Sequence, residues 1–506
     1  MTSAQIIIVV TIVLYLAAMV FVGVYFGKKG SGSSSDDFYL GGRKMGPIVT
    51  AMSAEASDMS SYLLMGLPGL AYLCGLPEVT WTAIGLAIGT YLNWLIVARR
   101  LRRYSAKLGA ITIPDFFARR FGDKKHLLSC IAAVVILIFF IPYTASGFKA
   151  IGTLFNSLFG VEYHTAMIVG GIVVVLYTVM GGFMAVSFTD LIQSIFMTIA
   201  LIVIVCFGVQ QAGGLDTVID NARALPGYLN MTQGYDAASG TAASFSTLSI
   251  ISTLAWGLGY FGMPHIIVRF MSIEKPSMVK KSAIVACVWV VLSLGAVCLI
   301  AYFGRMLVAD ELLPAGQQKT IFIVLARKLY PAFLAGVLLA AIMAASMSTA
   351  DSQLLVASSS FTSDIYKPVF RKNASDKEIL WMGRLVVLVV SAIAYVIASS
   401  KGEGAQAIMN MVENAWGGFG SAFGPVVILS LFWRRLSYKG AVAGVVAGAL
   451  TDVLWYLFLS GPTGVYELLP GFAVGMLACV IVSLLDKAPG KEVTDIFDRA
   501  ISKYND

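Results

Sequence analysis

TAMSAEASDMSSYLLMGLP, residues 50–68, lies inside an apolar segment long enough to cross a membrane, yet it carries Glu55, Ser57, Asp58, Ser60 and Ser61. A carboxylate at the centre of a bilayer costs about 2.5–3.5 kcal/mol on insertion scales, so these acids must face protein, ion or water. Serines alone are ambiguous, because hydroxyls also hold membrane helices together. Asp58 in this Ser-rich setting points to a functional site.

The whole chain shares that apolar character. Of its 506 residues, 58% are hydrophobic and 13% charged, and the mean hydropathy is +0.82; soluble domains have about 45–50% apolar and about 25% charged residues. The composition predicts an all-α polytopic membrane protein. Cys74, Cys130, Cys206, Cys287, Cys298 and Cys479 are scattered through apolar segments and read as small buried hydrophobes. Neither they nor the isolated His126, His164 and His265 have the spacing of a disulfide framework or a zinc site.

Thirteen segments are long enough to span about 30 Å of hydrocarbon. They fall near 5–27, 47–75, 77–98, 127–155, 164–182, 188–211, 246–268, 282–304, 330–360, 379–400, 406–433, 439–459 and 467–485. The first is expected to be retained: its apolar run exceeds that of a signal peptide, and Lys28 and Lys29 follow it. One set of loops is rich in Lys and Arg. It holds Arg43 and Lys44, the run Arg99–Lys125, Arg269, Lys275, Lys280, Lys281, Lys367, Arg371, Lys372, Arg434, Arg435 and Lys439. The other set has little beyond Arg223, Arg305, Lys319, Arg327, Lys328 and Lys401. The positive-inside rule therefore places the N-terminus outside and the C-terminus in the cytoplasm of a multi-pass cell-membrane protein. The net charge of +8 is a topology signal, which removes nucleic acid as a partner.

Along the chain, a Gly/Ser-rich linker, 28–46, leads to the Asp58 segment. ITIPDFFARRF, 111–121, reads either as a short amphipathic helix with Pro114 near its start and aromatics in the membrane interface, or as a solvated basic loop. Tyr143, in IPYTASGFKA, is either an interface residue or a cavity wall. Asp190 and Gln193 lie one turn apart and should face inward. A polar outside loop, 212–245, carries no catalytic constellation. The second anomaly follows, STLAWGLGYFGMPHIIVRF, 252–270, in which Gly257, Gly259, Gly262 and Pro264 should break the helix. Trp256 and Tyr260 at i, i+4 set an aromatic face beside that break.

The two anomalies fall in the second and seventh spans, corresponding places in successive five-span units. Interrupted helices in matching positions mark an inverted-repeat secondary transporter, with its site between the breaks. The ninth span adds LAAIMAASMSTADSQLLVASSS, 339–360, where Ser348, Thr349 and Ser352 offer hydroxyls beside Asp351. Hydroxyls and freed carbonyls are hard oxygen ligands that suit Na⁺, and the soft ligands of a transition metal are missing. The eleventh span, with WGGFGSAFGP, is Gly-rich enough to hinge, and Glu413 stands near its outer end. No selectivity-filter repeat supports a channel, and no nucleophile–base constellation or appended signalling domain supports an enzyme or sensor.

FYLGGRKMGP (38–47), AEASDMSS (54–61), LLMGLPG (63–69), GGFMAVSFTD (181–190), WGLGYFGMPHIIVRFM (256–271), MSTADSQLLV (347–356) and WGGFGSAFGPVV (416–427) stand in the order found in the sodium:solute symporters. The chain resembles that family along nearly its whole length, and within it the sodium/proline symporters.

The resemblance implies a leucine-transporter-like core of 5+5 inverted helices, preceded by one span and followed by two. The divisions are 1–46, first span and linker; 47–211, first repeat; 212–433, outside loop and second repeat; 434–485, two further spans; and 486–506, a cytoplasmic tail. It implies Na⁺-coupled uptake of L-proline by alternating access, with no organic cofactor. The Na⁺ ligands carried over are the carbonyls of Ala56, Met59 and Ala345 and the hydroxyls of Ser348 and Thr349, with Asp58 in support. A second Na⁺ site would use Asp190, Ser348, Asp351 and Ser352. Proline would meet Ser60, Ser61, Tyr143, Trp256, Tyr260 and Pro264.

The chain departs from the family's pattern at Glu55 and Ser61, where relatives usually have Gly, at Tyr62 for Trp and at Met263 for Gln. Glu55 adds a carboxylate beside the ion loop. The alternative reading is a Na⁺- or H⁺-coupled symporter of another small amino acid or carboxylate solute. Oligomeric state is left open.

Overall fold

With no water in the hydrocarbon to satisfy backbone N–H and C=O groups, an apolar chain of this kind can cross only as helices or a closed barrel. The computed structural model describes residues 2–30, 34–314, 316–400 and 405–501, and these are predominantly helical. Lys401, positions 31–33 of the first linker and the end of the tail, 502–506, lie outside the described residues. The polar segment 212–245 contains a short helix, Leu215–Arg223, and a two-stranded antiparallel hairpin pairing Gln233–Asp236 with Thr241–Ser244.

Ten described helices are long and apolar enough to cross a membrane, or eleven when the pair Thr247–Phe261 and Pro264–Ser272, bent by 42°, is one span. The expectation of thirteen differs from this count at two places. The segments 164–182 and 188–211 lie on one helix, Tyr163–Gln211, of 49 residues. Unbroken, at 1.5 Å per residue, it would be about 70 Å long, more than twice the hydrocarbon thickness, but two helices are joined here across a kink. It is interrupted at Gly182, whose φ of 58° and ψ of −164° leave the helical region. The segment 47–75 is divided into Pro47–Asp58, a widely wound turn Tyr62–Gly66, and Leu67–Cys74, each too short to span alone.

These divisions give the two interrupted spans around which the site is built. Pro47 opens the first, where its missing N–H costs nothing. The helix stops at Met59, with φ −80° and ψ 65°, and resumes beyond Ser61. In the second, a tight turn Ala255–Phe261 ends at Gly262, Met263 is extended, and Pro264 restarts the helix to Ser272. Glycines let this span sit against Leu76–Leu92: a Cβ on Gly257 would lie 2.2 Å from the Gly85 carbonyl oxygen, and one on Gly89 2.3 Å from that of Gly257. Any side chain there would force the two backbones apart.

Between the interrupted spans runs Ala332–Phe361, buried along almost all of its length. The first helix, Ser3–Gly30, instead leaves Val13, Leu14 and Phe21 exposed, a surface suited to lipid.

Two expectations are corrected here. Residues 113–121 are a helix, Ile113–Phe121, capped by the Thr112 side chain, so the loop reading fails. Its Phe116 and Phe117 are fully buried in protein and do not dip into a membrane interface. Arg269, counted above among the loop cations, lies within Pro264–Ser272 and is 1% exposed.

Candidate functional site

Where Pro47–Asp58 ends, its last carbonyls lack the N–H partners that a continuing helix would supply. One of them meets the buried helix: the Ser348 hydroxyl donates to the Ala56 carbonyl at 2.8 Å and approaches the Ala345 carbonyl at 3.3 Å. The Thr349 hydroxyl donates to the same Ala345 carbonyl at 3.2 Å. Ala56, Ala345, Ser348 and Thr349 are therefore brought together, and Met59 stands at the break, on the aromatic cavity. Two carbonyl and two hydroxyl oxygens form a hard, uncharged donor set of the kind a desolvated alkali cation requires.

Asp58 faces the second interrupted span. Its Oδ2 accepts from the Tyr260 hydroxyl at 2.5 Å, and the Tyr143 hydroxyl reaches its backbone carbonyl at 3.5 Å. Tyr143 is 1% exposed and lines a narrow cavity with Asp58, Met59, Tyr62, Leu86, Trp256, Val412 and Trp416. Of its two sequence readings, the cavity wall is the one observed.

Trp256 closes that cavity on one side. Its ring stacks on Tyr62, with centroids 5.4 Å apart, and on Tyr466 at 5.3 Å. Its carbonyl accepts from the Trp416 indole at 2.7 Å. Tyr260 meets Trp416 edge-on at 5.0 Å. Ser60 accepts the Tyr62 N–H at 3.3 Å, within the break itself. Ser61 is buried with its hydroxyl unpartnered. Pro264 is buried at the helix restart, away from the cavity lining.

Of the four residues expected to hold a second cation, Asp190, Asp351 and Ser352 also meet, with a guanidinium among them. Arg269 Nη2 lies 2.9 Å from Asp190 Oδ2 and 2.5 Å from Ser352 Oγ, Nε donates to Ser53 Oγ at 2.7 Å, and Nη1 donates to the His265 carbonyl. Asp190 Oδ2 also accepts from Ser53 at 2.6 Å, and Asp351 accepts from Tyr177 at 2.8 Å and Ser352 at 3.1 Å. Ser348 is turned away from this cluster, toward Ala56. Here Asp190 and Ser352 already have a cation, supplied by the chain.

Sequence reasoning missed Arg269, Tyr62, Trp416 and Tyr466 as parts of the site. Arg269 carried a signal: it stands in HIIVRFM, and a charge inside an apolar run deserved the scrutiny given to Asp58. The three aromatics come from elements far apart in sequence and share no local pattern.

Two interrupted helices facing one another across a buried helix, with a small aromatic cavity at the breaks, are the arrangement of a secondary transporter. The Sodium:solute symporter family profile matches residues 38–448, and the chain belongs to that family. It is 45% identical to the high-affinity proline transporter PutP of Bacillus subtilis (strain 168), over 94% of this chain and 97% of that protein. It is 41% identical to the sodium/proline symporter of Escherichia coli (strain K12), over 98% of this chain and 96% of the relative. Among solved structures, it resembles a Na⁺-coupled sialic acid symporter in a substrate-bound outward-open state. The TM-score is 0.75 at 21% identity, covering 96% of this chain and 99% of the other. A nucleobase-cation-symport-1 family transporter in a closed conformation gives a TM-score of 0.51 at 12% identity, covering 92% and 98%. These likenesses establish the fold.

Proposed function

We propose that the protein is a secondary active transporter that carries L-proline into the cell together with Na⁺ by alternating access. The observation that carries this reading is the meeting of Ser348 and Thr349 with the broken end of Pro47–Asp58. Na⁺ held by the Ala56, Met59 and Ala345 carbonyls and the two hydroxyls ties the first interrupted span to Ala332–Phe361. That tie fixes the neighbouring break, whose Ser60 and Ser61 face the substrate carboxylate, while Trp256 and Tyr260 wall the pyrrolidine ring. Tyr143 completes the pocket, and Pro264 serves it indirectly by restarting the helix that follows Tyr260. Asp58 links ion and substrate through Tyr260. The full lengths of two proline transporters aligned with this chain support the substrate.

In this reading Tyr163–Gln211 crosses twice about Gly182 and each interrupted segment crosses once, giving thirteen spans. The divisions 47–211 and 212–433 are the two inverted repeats, 1–46 precedes them, and 434–485 and the tail 486–506 follow. The N-terminus is outside and the C-terminus in the cytoplasm, in the cell membrane. A second Na⁺ at Asp190, Asp351 and Ser352 would have to displace the Arg269 guanidinium. Glu55 and Ser61, at positions usually occupied by Gly in relatives, favour one competing reading, another small carboxylate solute or a proton-driven carrier. Competition of labelled proline binding by a panel of amino acids, at neutral and low pH with and without Na⁺, separates the two. Proline should outcompete the panel only when Na⁺ is present; preference for another solute, or binding supported by acid alone, contradicts the proposal.

A further inference from the structure

One face of Pro47–Asp58 is unexplained by the ion and substrate sites. Toward the helix Leu76–Leu92 and its continuation Asn93–Ala98, three buried oxygens have no hydrogen-bond partner: Glu55 Oε2, Thr90 Oγ1 and Asn93 Oδ1. Glu55 is 2% exposed, and Thr90 and Asn93 are each 1% exposed.

Their neighbours fix how they are aimed. Glu55 Oε1 accepts from the Trp94 indole at 3.2 Å, which leaves Oε2 as the free edge of the carboxyl. Asn93 Nδ2 donates to the Tyr260 carbonyl at 3.0 Å, which leaves Oδ1 on the other edge of the amide. Tyr260 in turn holds Asp58. Thr90, Asn93 and Trp94 share one helical face, as do Glu55 and Asp58 on Pro47–Asp58, and the Trp94–Glu55 bond joins the two faces. Ser53 and Ser57, which bond to Asp190, lie two residues either side of Glu55 and hence on the opposite side of Pro47–Asp58.

The charge balance is the second observation. Among the described residues, neither Glu55 nor Asp58 has an ion-pair partner, whereas Asp190 has Arg269. A carboxylate taken out of water without a counter-charge is strongly unfavourable. Free carboxylate, amide and hydroxyl oxygens are hard donors that favour an alkali cation over a transition metal. With one acid among three donors, a monovalent ion neutralises the set.

We infer that Glu55 Oε2, Asn93 Oδ1 and Thr90 Oγ1 form a second Na⁺ site, so that each proline moves with two Na⁺. This rests on the Na⁺/proline reading above. The ion at Glu55 sits against the Tyr260 contact to Asp58, and so couples the helix Leu76–Leu92 to both interrupted spans.

The test is the ratio of ²²Na⁺ to labelled proline taken up by proteoliposomes containing the full chain, together with the accumulation reached at equilibrium. At a tenfold inward Na⁺ gradient and zero voltage, two-ion coupling supports about 100-fold accumulation and one-ion coupling about tenfold. The wild type should give a ratio of two and a sigmoid Na⁺ dependence. Glu55→Gln should take up proline at a ratio of one with a hyperbolic dependence, and Thr90→Val should keep the ratio while raising the Na⁺ concentration needed. A wild-type ratio of one overturns the inference, as does a ratio of two that Glu55→Gln retains. A ratio of one accompanied by proton entry that Glu55→Gln abolishes overturns it in favour of a proton. Absence of Na⁺-dependent proline uptake in the wild type is a different failure, that of the functional reading itself.

Discussion

The two sides of Pro47–Asp58 carry buried acids in contrasting surroundings. Toward Tyr163–Gln211 and Ala332–Phe361, Asp190 has Arg269, Ser53 and Ser57 as partners, and every nitrogen of the guanidinium is engaged. Toward Asn93, Glu55 has one long bond from an indole and a free oxygen. Both acids leave one oxygen without a partner, Asp190 Oδ1 and Glu55 Oε2, but where the chain supplies its own cation the charge is neutralised and the pair holds helices together. Where it does not, the missing charge must come from solution, which is the requirement of a transport site.

Removing the built-in cation should have the largest effect. Arg269→Ala leaves Asp190 buried and unpaired, and breaking a buried pair this way costs about 3–5 kcal/mol. Thermal unfolding of the detergent-purified protein should fall sharply, and the double change Arg269→Met with Asp190→Leu should recover most of the loss. If Arg269→Ala unfolds at the wild-type temperature, the cluster is not a structural pair and the contrast between the two sides disappears.

The next effects probe the side that awaits an ion. Ser348→Ala and Thr349→Ala each remove one hydroxyl, worth about 0.5–1.5 kcal/mol net, so the Na⁺ concentration for half-maximal uptake should rise about two- to tenfold. An unchanged Na⁺ dependence in both would remove the assignment of those oxygens. Trp256→Ala opens the aromatic closure over the cavity, and with aromatic contacts worth about 0.5–1.5 kcal/mol each it should weaken proline about tenfold and Na⁺ less. Equal loss of both ligands would mean that Trp256 serves the fold and not the substrate.

The same contrast explains what the sequence could reveal. Asp58 was legible because an acid in an apolar run has few explanations, and the Gly and Pro of 257–264 marked the matching break. Ser348 and Thr349 followed from their oxygen chemistry, and the structure places them against Ala56. Arg269 was misplaced for a geometric reason. Standing at the end of an apolar run, Arg269 has the sequence position of a cation flanking a span, whereas the packing turns it inward onto Asp190 and Ser352. The ring contacts of Tyr62, Trp416 and Tyr466 with Trp256 have no local sequence signal, because they depend on how separate elements pack. The stretch 183–187 read as a gap between two helices, and the break lies instead at Gly182, with helix resuming directly beyond it.

The central claim is that solute movement is tied to a cation entering beside Asp58. Linkage makes that coupling reciprocal: Na⁺ raises proline affinity by the same factor as proline raises Na⁺ affinity. The most direct measurement is uptake of labelled proline into proteoliposomes with external Na⁺ replaced by choline. The account predicts that accumulation collapses to the level of protein-free vesicles and returns when Na⁺ is restored; proline uptake undiminished in choline would contradict it.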